Sequence, residues 1–246
     1  MIGLYFGVLT SLDTVVAILT GAAASIVVGI AHWVSKKGGP RWVGRKLVHM
    51  VMGTIIALTL VVYSNLSGPI FATALFMIVL FCLSFYDKDI ISHLLAAGTR
   101  ESGSTFGTFF AGFAGLVSFA VVFLVFYVRP EIFVAAILAV SWGDASGEVF
   151  GRTLGGSLIR KRFRGKSIEG SAAVFAFSAL SLIVAMLLHS VDTQPFLVLP
   201  EILVVALVVS VVEAVSVGWT DNFLVPLTTA FLTWFLIFPT TPLLLP

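Results

Sequence analysis

Residues 131–156 read EIFVAAILAVSWGDASGEVFGRTLGG, an apolar run that ends in glycines and charged side chains. Similar apolar runs recur along a chain that is 59% hydrophobic and 11% charged. A soluble domain, by contrast, is about one quarter charged. Lipid offers no partner to unpaired backbone groups, so the chain is expected to cross the bilayer as helices. The sequence therefore predicts an all-α, polytopic transmembrane helix bundle that forms a single domain over residues 1–246.

The apolar runs are close to the ~20 residues that a spanning helix needs. About eight helices are predicted, with the N-terminus outside. They are Leu12–Trp33, Val48–Tyr63, Pro69–Phe85, Phe106–Tyr127, Glu131–Phe150, Ser171–His189, Pro200–Val217 and Phe223–Phe238.

The basic residues are distributed unevenly between the predicted loops. All but one of the 14 Lys and Arg residues fall in the loops on one side, and Arg129 is the exception. Cytoplasmic loops carry such an excess of positive charge. We therefore expect an integral protein of the cell (plasma) membrane whose polar face looks toward the cytoplasm.

The fifth predicted helix carries two patterns with a spacing of four residues. Glycines recur at 143, 147, 151 and 155, a stripe that allows another backbone to approach closely. Asp144, Glu148 and Arg152 recur on the adjacent face, with Asp144 about 9 Å inside the membrane. Ionisable groups at this depth usually mark a site, although Glu148 and Arg152 also suit a simple i,i+4 ion pair.

The loop after this helix is strongly basic and runs into Lys166, Ser167 and Gly170 at the start of the next helix. Glycines, helix N-terminal amides and cations together form phosphate cradles. A Walker A loop is excluded, because its first glycine would stand at position 160, where the chain has Arg160.

Three further groups of residues lie near the same predicted face. Arg45, Lys46 and His49 lie within about one turn of each other. Glu213 lies near the end of the seventh helix, where a buried acid needs a cation or a metal as its partner. Asp221 precedes the last helix and also suits an N-cap.

Carboxylates, water and phosphates together suit Mg²⁺, and the cations suit a polyphosphate. This combination is what phosphoryl or nucleotidyl transfer requires. The single cysteine, Cys82, excludes a thiolate metal cluster and is expected to be a small buried residue. Nothing beyond loop charge favours nucleic-acid binding.

Three motifs resemble those of the polyprenol kinase family, which includes dolichol kinase, phytol kinase and the CTP-dependent diacylglycerol kinase. They are RKLVH at 45–49, the pair GDASGEVFGR at 143–152 and KSIEGS at 166–171, and VEA…DNFLVPL at 212–227. The middle of the pattern is also similar to the phosphatidate cytidylyltransferases, including the archaeal CDP-archaeol synthases. The chain lacks their C-terminal His-Gly-Gly and Asp-Arg signatures, which favours the kinases.

The resemblance implies transfer of a phosphoryl group from CTP, with Mg²⁺, to a membrane isoprenoid alcohol of the dolichol or phytol type. The expected catalytic residues are Asp144, Glu213, Lys46 and His49. Arg152, Lys166, Ser167, Glu169, Gly170 and Arg45 are expected to bind the nucleotide, and Asp144, Glu148 and Asp221 to bind the metal. A phosphatidate-type cytidylyltransferase and a non-enzymatic transporter are the alternatives.

Overall fold

The computed structural model describes residues 6–38, 40–86, 105–154, 166–190, 192–217 and 220–242. Within these ranges the regular structure is helical, and eight helices are present when Pro130–Thr153 is taken as one continuous helix. They are α1 (Ser11–Lys36), α2 (Arg41–Thr59), α3 (Ser67–Tyr86), α4 (Thr105–Val125), α5 (Pro130–Thr153), α6 (Ile168–His189), α7 (Leu199–Val215) and α8 (Asp221–Ile237). The predicted fold class is confirmed for the part of the chain that the structure describes.

In the part of the chain that the structure describes, four helices are long and apolar enough to cross a membrane: Ser11–Val34, Trp42–Val62, Pro130–Thr153 and Ile168–His189. Large apolar side chains such as Leu19, Leu187 and Leu207 stand exposed on helix surfaces. In water such surfaces would favour aggregation, whereas lipid tails solvate them. Cys82 lies on such an exposed surface, so the prediction that it is buried is wrong.

The chain divides into two compact units, Met1–Thr108 and Phe109–Pro246. In the first unit, α1 packs against α2 and α3. Its start forms a capping box: the Thr10 hydroxyl accepts from the Asp13 backbone N–H, and the Asp13 carboxylate accepts from Thr10 N. Asp13 is fully buried and also accepts from Ser64 N at 2.7 Å, which ties the α2–α3 connection to the start of α1.

In the second unit, α5 is the most buried of the four long apolar helices, and it packs against α6 and α8. Residues 132–140 of this helix are all buried. α7 packs on α6 and α8, which completes a four-helix bundle. α4 joins this bundle through Phe123, whose ring meets Phe133 edge-on at 5.3 Å, and through Phe126, which meets Phe231 at 5.2 Å.

α5 and α6 approach each other almost to backbone contact over the predicted glycine stripe. A Cβ atom added to Gly170 would lie 2.7 Å from the backbone oxygen of Gly147, and one added to Gly147 would lie 2.7 Å from Val174 Cγ2. The prediction that these glycines allow close helix packing is confirmed at Gly143, Gly147 and Gly151, whereas Gly155 lies outside the described residues.

At the end of the unit where α5 begins, Arg129 joins three chain segments. Its guanidinium pairs with both carboxylate oxygens of Asp192 at 3.0 and 2.8 Å, with Glu131 at 3.0 Å and with the Thr241 hydroxyl at 3.2 Å. This bidentate pair lowers the pKa of Asp192 from 3.8 to about 2. Arg129 is the one basic residue outside the predicted cytoplasmic loops, and it holds these chain segments together.

Replacing Gly170 with Ala is expected to destabilise the protein, because the new methyl group meets the rigid backbone of α5. The expected loss is about 1–3 kcal/mol, the usual range for overpacking. Thermal unfolding of the purified protein in detergent measures it. Gly29→Ala in α1 is the matched control, because an added Cβ there has no neighbour within 4 Å. Equal unfolding midpoints for the two variants would contradict the close α5–α6 contact.

Asp192→Asn is expected to remove a pH-dependent part of the stability. The pKa of Asp192 is about 2 in the folded state and 3.8 when unperturbed. A lowered folded-state pKa gives stability that is present above pH 3.8 and is lost as the pH falls through about 2. The difference in unfolding midpoint between wild type and variant should therefore shrink between these two values. A constant difference across that window would mean that the pair does not hold the carboxylate in its charged form.

Candidate functional site

Lys166 connects two buried acids that belong to different helices. It lies two residues before α6, while Glu213 lies in the last turn of α7 and Asp221 is the first residue of α8. Its ammonium donates a hydrogen bond to Glu213 Oε1 and lies 4.0 Å from Asp221 Oδ2. Glu213 and Asp221 are 4% and 1% exposed. A lysine therefore supplies the counter-charge that these buried carboxylates need.

Asp144 belongs to the same cluster. It is buried within α5, and the charges of both Asp144 and Asp221 act on Glu213. α5 thus carries a buried acid in the neighbourhood of the contact that Lys166 makes with α7 and α8. We call these four residues the acidic cluster: Asp144, Lys166, Glu213 and Asp221. The sequence predicted that these four residues meet at one face together with Glu148, Lys46 and Arg152, and the roles of all seven stay predictions.

A local change of helix type places Asp144. Residues Ala139–Asp144 form a π-helical segment, and the α-helix resumes at Ala145. A π-segment inserts extra chain into a turn and is frequent at functional sites. Because one residue corresponds to about 100° of rotation, it changes which side chains on the following turns face α6. The sequence carries no clear signal for this π-helical segment, because it lacks a proline, the residue that most often marks an irregularity within a helix.

Ser210 is a residue of the site that the sequence did not indicate. It lies one turn before Glu213 on α7, and its hydroxyl donates to the backbone oxygen of Ser171 on α6 at 2.7 Å. This bond fixes the end of α7 against the start of α6, and so it fixes Glu213 relative to Lys166. A serine in an apolar helix gives no such indication until its neighbour is known.

Glu148 and Arg152 form the i,i+4 ion pair that the sequence allowed as their simpler interpretation. Arg152 Nη2 lies 2.9 Å from Glu148 Oε1, and the arginine side chain is 43% exposed. Both residues lie on α5, on the turns that follow Asp144. Their predicted roles in binding metal and nucleotide stay predictions.

At the start of α6, two predicted nucleotide-binding residues have structural functions. Ser167 is the N-cap, and its hydroxyl accepts from Gly170 N at 3.0 Å. Gly170 provides the close contact with Gly147. This cap is why α6 begins at Ile168, three residues before the predicted start. Glu169 differs from Ser167 and Gly170. Its Oε2 atom is buried without a hydrogen-bond partner, so this oxygen is suited to accept a hydrogen bond from a ligand.

Arg45, Lys46 and His49 belong to α2 in the first compact unit. Since α2 begins at Arg41, earlier than predicted, all three lie within the helix. Lys46 is only 3% exposed. A buried lysine in a helix long enough to cross the bilayer is energetically costly and usually functional. The assignment of these three residues to the site stays a prediction.

The residues of the cluster match Mg²⁺ in chemical type but not in arrangement. Carboxylate oxygens are the donors that Mg²⁺ prefers. Across the described ranges, however, no three His, Cys, Asp or Glu side chains converge to hold a metal ion. The Lys166 ammonium lies against the two acids instead. Most of the basic loop, residues 155–165, lies outside the described residues.

Comparison with known proteins supports the family resemblance. The chain is 27% identical, over 237 residues, to a wheat (Triticum aestivum) protein described as "Probable phytol kinase, chloroplastic". The match covers 91% of this chain and 77% of the relative. No family model matches the chain, and no solved structure matches it. The comparison therefore supports a relationship to the polyprenol and phytol kinases.

Removing the charge of Lys166 is expected to destabilise the protein more than removing the ion pair as a whole. Lys166→Met leaves buried carboxylates without their cation, which costs about 3 kcal/mol. Lys166→Met combined with Glu213→Gln is expected to cost less, because the charge opposite the missing ammonium is removed too. A double-mutant cycle of thermal unfolding in detergent measures the coupling.

Arg152→Met is the control for this cycle, because its pair with Glu148 is more exposed. Exposed i,i+4 pairs contribute only about 0.5 kcal/mol, so this variant should unfold close to the wild type. Additive effects of the Lys166 and Glu213 substitutions would contradict the inferred coupling.

Proposed function

We propose that this chain is a CTP-dependent lipid-alcohol kinase. In this proposal it transfers a phosphoryl group from CTP to a membrane isoprenoid alcohol, of the phytol or polyprenol type, at the cytoplasmic leaflet. The observation that carries the proposal is the buried cluster in which Lys166 meets Glu213 and Asp221 at the junction of three helices. The similarity to a protein described as a probable phytol kinase supports the kinase assignment.

The cluster holds the two kinds of group that phosphoryl transfer to an alcohol requires. Transfer depends on positive charge at the phosphate oxygens and on a group that orients the acceptor hydroxyl. Lys166, placed at the N-terminal end of α6, is suited to phosphate, because the helix terminus also favours anions. Asp144 or Glu213 would accept the hydroxyl proton. Mg²⁺ is part of the proposal as the ion that accompanies the nucleotide.

The surroundings of the cluster suit a substrate with one polar end and a long apolar tail. α6 and α7 expose leucine and valine along their length, including Leu180, Leu187, Leu207 and Val215. A tail can therefore stay in lipid while the hydroxyl reaches the end of the bundle that carries the acids. The cytoplasmic orientation is supported by the uneven distribution of basic residues, which follows the positive-inside rule.

Labelled CTP tests the reaction directly. Purified protein in lipid or detergent is given CTP labelled at either the α or the γ phosphorus, together with phytol, geranylgeraniol or a polyprenol, and in separate reactions with phosphatidate. The proposal expects label in the lipid from γ-labelled CTP only. Label from the α position would instead identify a cytidylyltransferase, and label from neither position would contradict both enzymes. Parallel reactions with UTP and ATP test the nucleotide preference.

Asp144→Asn is expected to lower the turnover of this reaction by two orders of magnitude or more, about the contribution of a positioned acid–base group. Asp192→Asn is the matched control, because Asp192 pairs with Arg129 just before α5 begins, whereas Asp144 lies in the second half of that helix. This control should keep the wild-type rate at neutral pH. Full turnover in the Asp144 variant would contradict the assigned site.

A further inference from the structure

Lys166 places a positive charge against two carboxylates, the predicted metal ligand Asp221 and its neighbour Glu213. Its ammonium is hydrogen-bonded to Glu213 and lies 4.0 Å from Asp221. The two acids are almost fully buried, so a cation inside the protein stabilises their charged forms. A divalent ion at the same oxygens would be repelled by the ammonium at a distance of a few ångströms, where little solvent screens the repulsion.

The acids are fixed and the lysine is the partner that can move. The bond from Ser210 to Ser171 holds the turn of α7 that carries Glu213, and the Asp221 carboxylate accepts from Asn222 N at the start of α8. Lys166 precedes α6, and its side chain is 28% exposed. A lysine side chain has a flexible stem of four carbons, so the ammonium can change partner without a change in the backbone.

The position of Lys166 also favours its release toward an anion. A cation at the N-terminal end of a helix is disfavoured by the helix dipole, and here the acids compensate for that. A phosphate group at the same place is favoured both by the dipole and by the ammonium. An arriving polyphosphate therefore competes with Glu213 and Asp221 for the same lysine.

We propose that Lys166 is an internal counter-cation that closes the acidic cluster to divalent cations until a polyphosphate draws the ammonium away. This inference rests on the proposed function for the identity of the polyphosphate. The free protein then binds neither Mg²⁺ nor Mn²⁺ at this place, and the lysine keeps the buried carboxylates compensated between reactions.

Mn²⁺ binding to the purified protein, without nucleotide or lipid, tests the inference. Binding is followed by electron paramagnetic resonance of free Mn²⁺ and by the shift of the unfolding midpoint. Lys166→Met is expected to bind Mn²⁺ at least about tenfold more tightly than the wild type, because a cation a few ångströms from the ion has been removed. Lys166→Arg keeps the cation and should behave like the wild type. Adding Glu213→Gln to Lys166→Met should remove the gain.

Two results would overturn the inference. One is Mn²⁺ binding to the wild type as tightly as to Lys166→Met, with loss of that binding in Glu213→Gln. The other is a folded Lys166→Met protein with no gain in Mn²⁺ affinity. If Lys166→Met does not fold alone, Mn²⁺ added during purification should restore folded protein by replacing the ammonium, and failure to do so also counts against the inference.

The outcome of the Mn²⁺ binding experiment does not depend on the proposed kinase reaction. Failure of the Mn²⁺ experiment would leave the transfer of γ-label to a lipid alcohol unaffected, because the binding assay contains neither substrate. Conversely, the absence of kinase activity would not change how Mn²⁺ distinguishes Lys166→Met from the wild type. The two proposals can therefore fail separately.

Discussion

The near contact of α5 and α6 at Gly147 and Gly170 is the constraint on which the second unit depends. Any side chain at either position would separate the two backbones, and the start of α6 would then move away from α5. Lys166 stands four residues before Gly170, and Asp144 stands three residues before Gly147. The distance between the two helices therefore sets how far the start of α6, with Lys166, stands from Asp144 on α5. In lipid, where apolar surfaces gain little by meeting, such close packing also supplies much of the association between helices.

The acidic cluster is not an efficient way to stabilise the folded state. Burying carboxylates and an ammonium requires their desolvation, and well-packed apolar residues of similar volume often stabilise a protein as much or more. The opposite end of the bundle shows a mixed ionic contact, in which Arg129 pairs with the exposed carboxylate of Asp192 and with the buried carboxylate of Glu131. The Arg129 contact holds chain segments together, and a role in chemistry for the buried cluster is part of the proposed function.

Much of the fold could be predicted from apolar runs and charge distribution. Helix number, helix order and the glycine stripe all follow from short-range patterns, because the bilayer requires helices of a certain length and close helix packing requires small residues. Helix ends were less predictable. α6 begins three residues before its predicted start because Ser167 caps it. α2 begins at Arg41, also before its predicted start, and Lys46 therefore lies inside the helix.

The sequence by itself determined which residue types are present near one membrane face, and hence the prediction of a phosphate-handling site. Only the tertiary structure decided which of these residues meet. It joins Lys166 to Glu213 across 47 positions of sequence, pairs Glu148 with Arg152, and uses a π-segment in α5 on the approach to Asp144. The physical reason is that charge partners are chosen by distance in space. Helix rotation and interhelical spacing set that distance, and both depend on contacts between residues far apart in the chain.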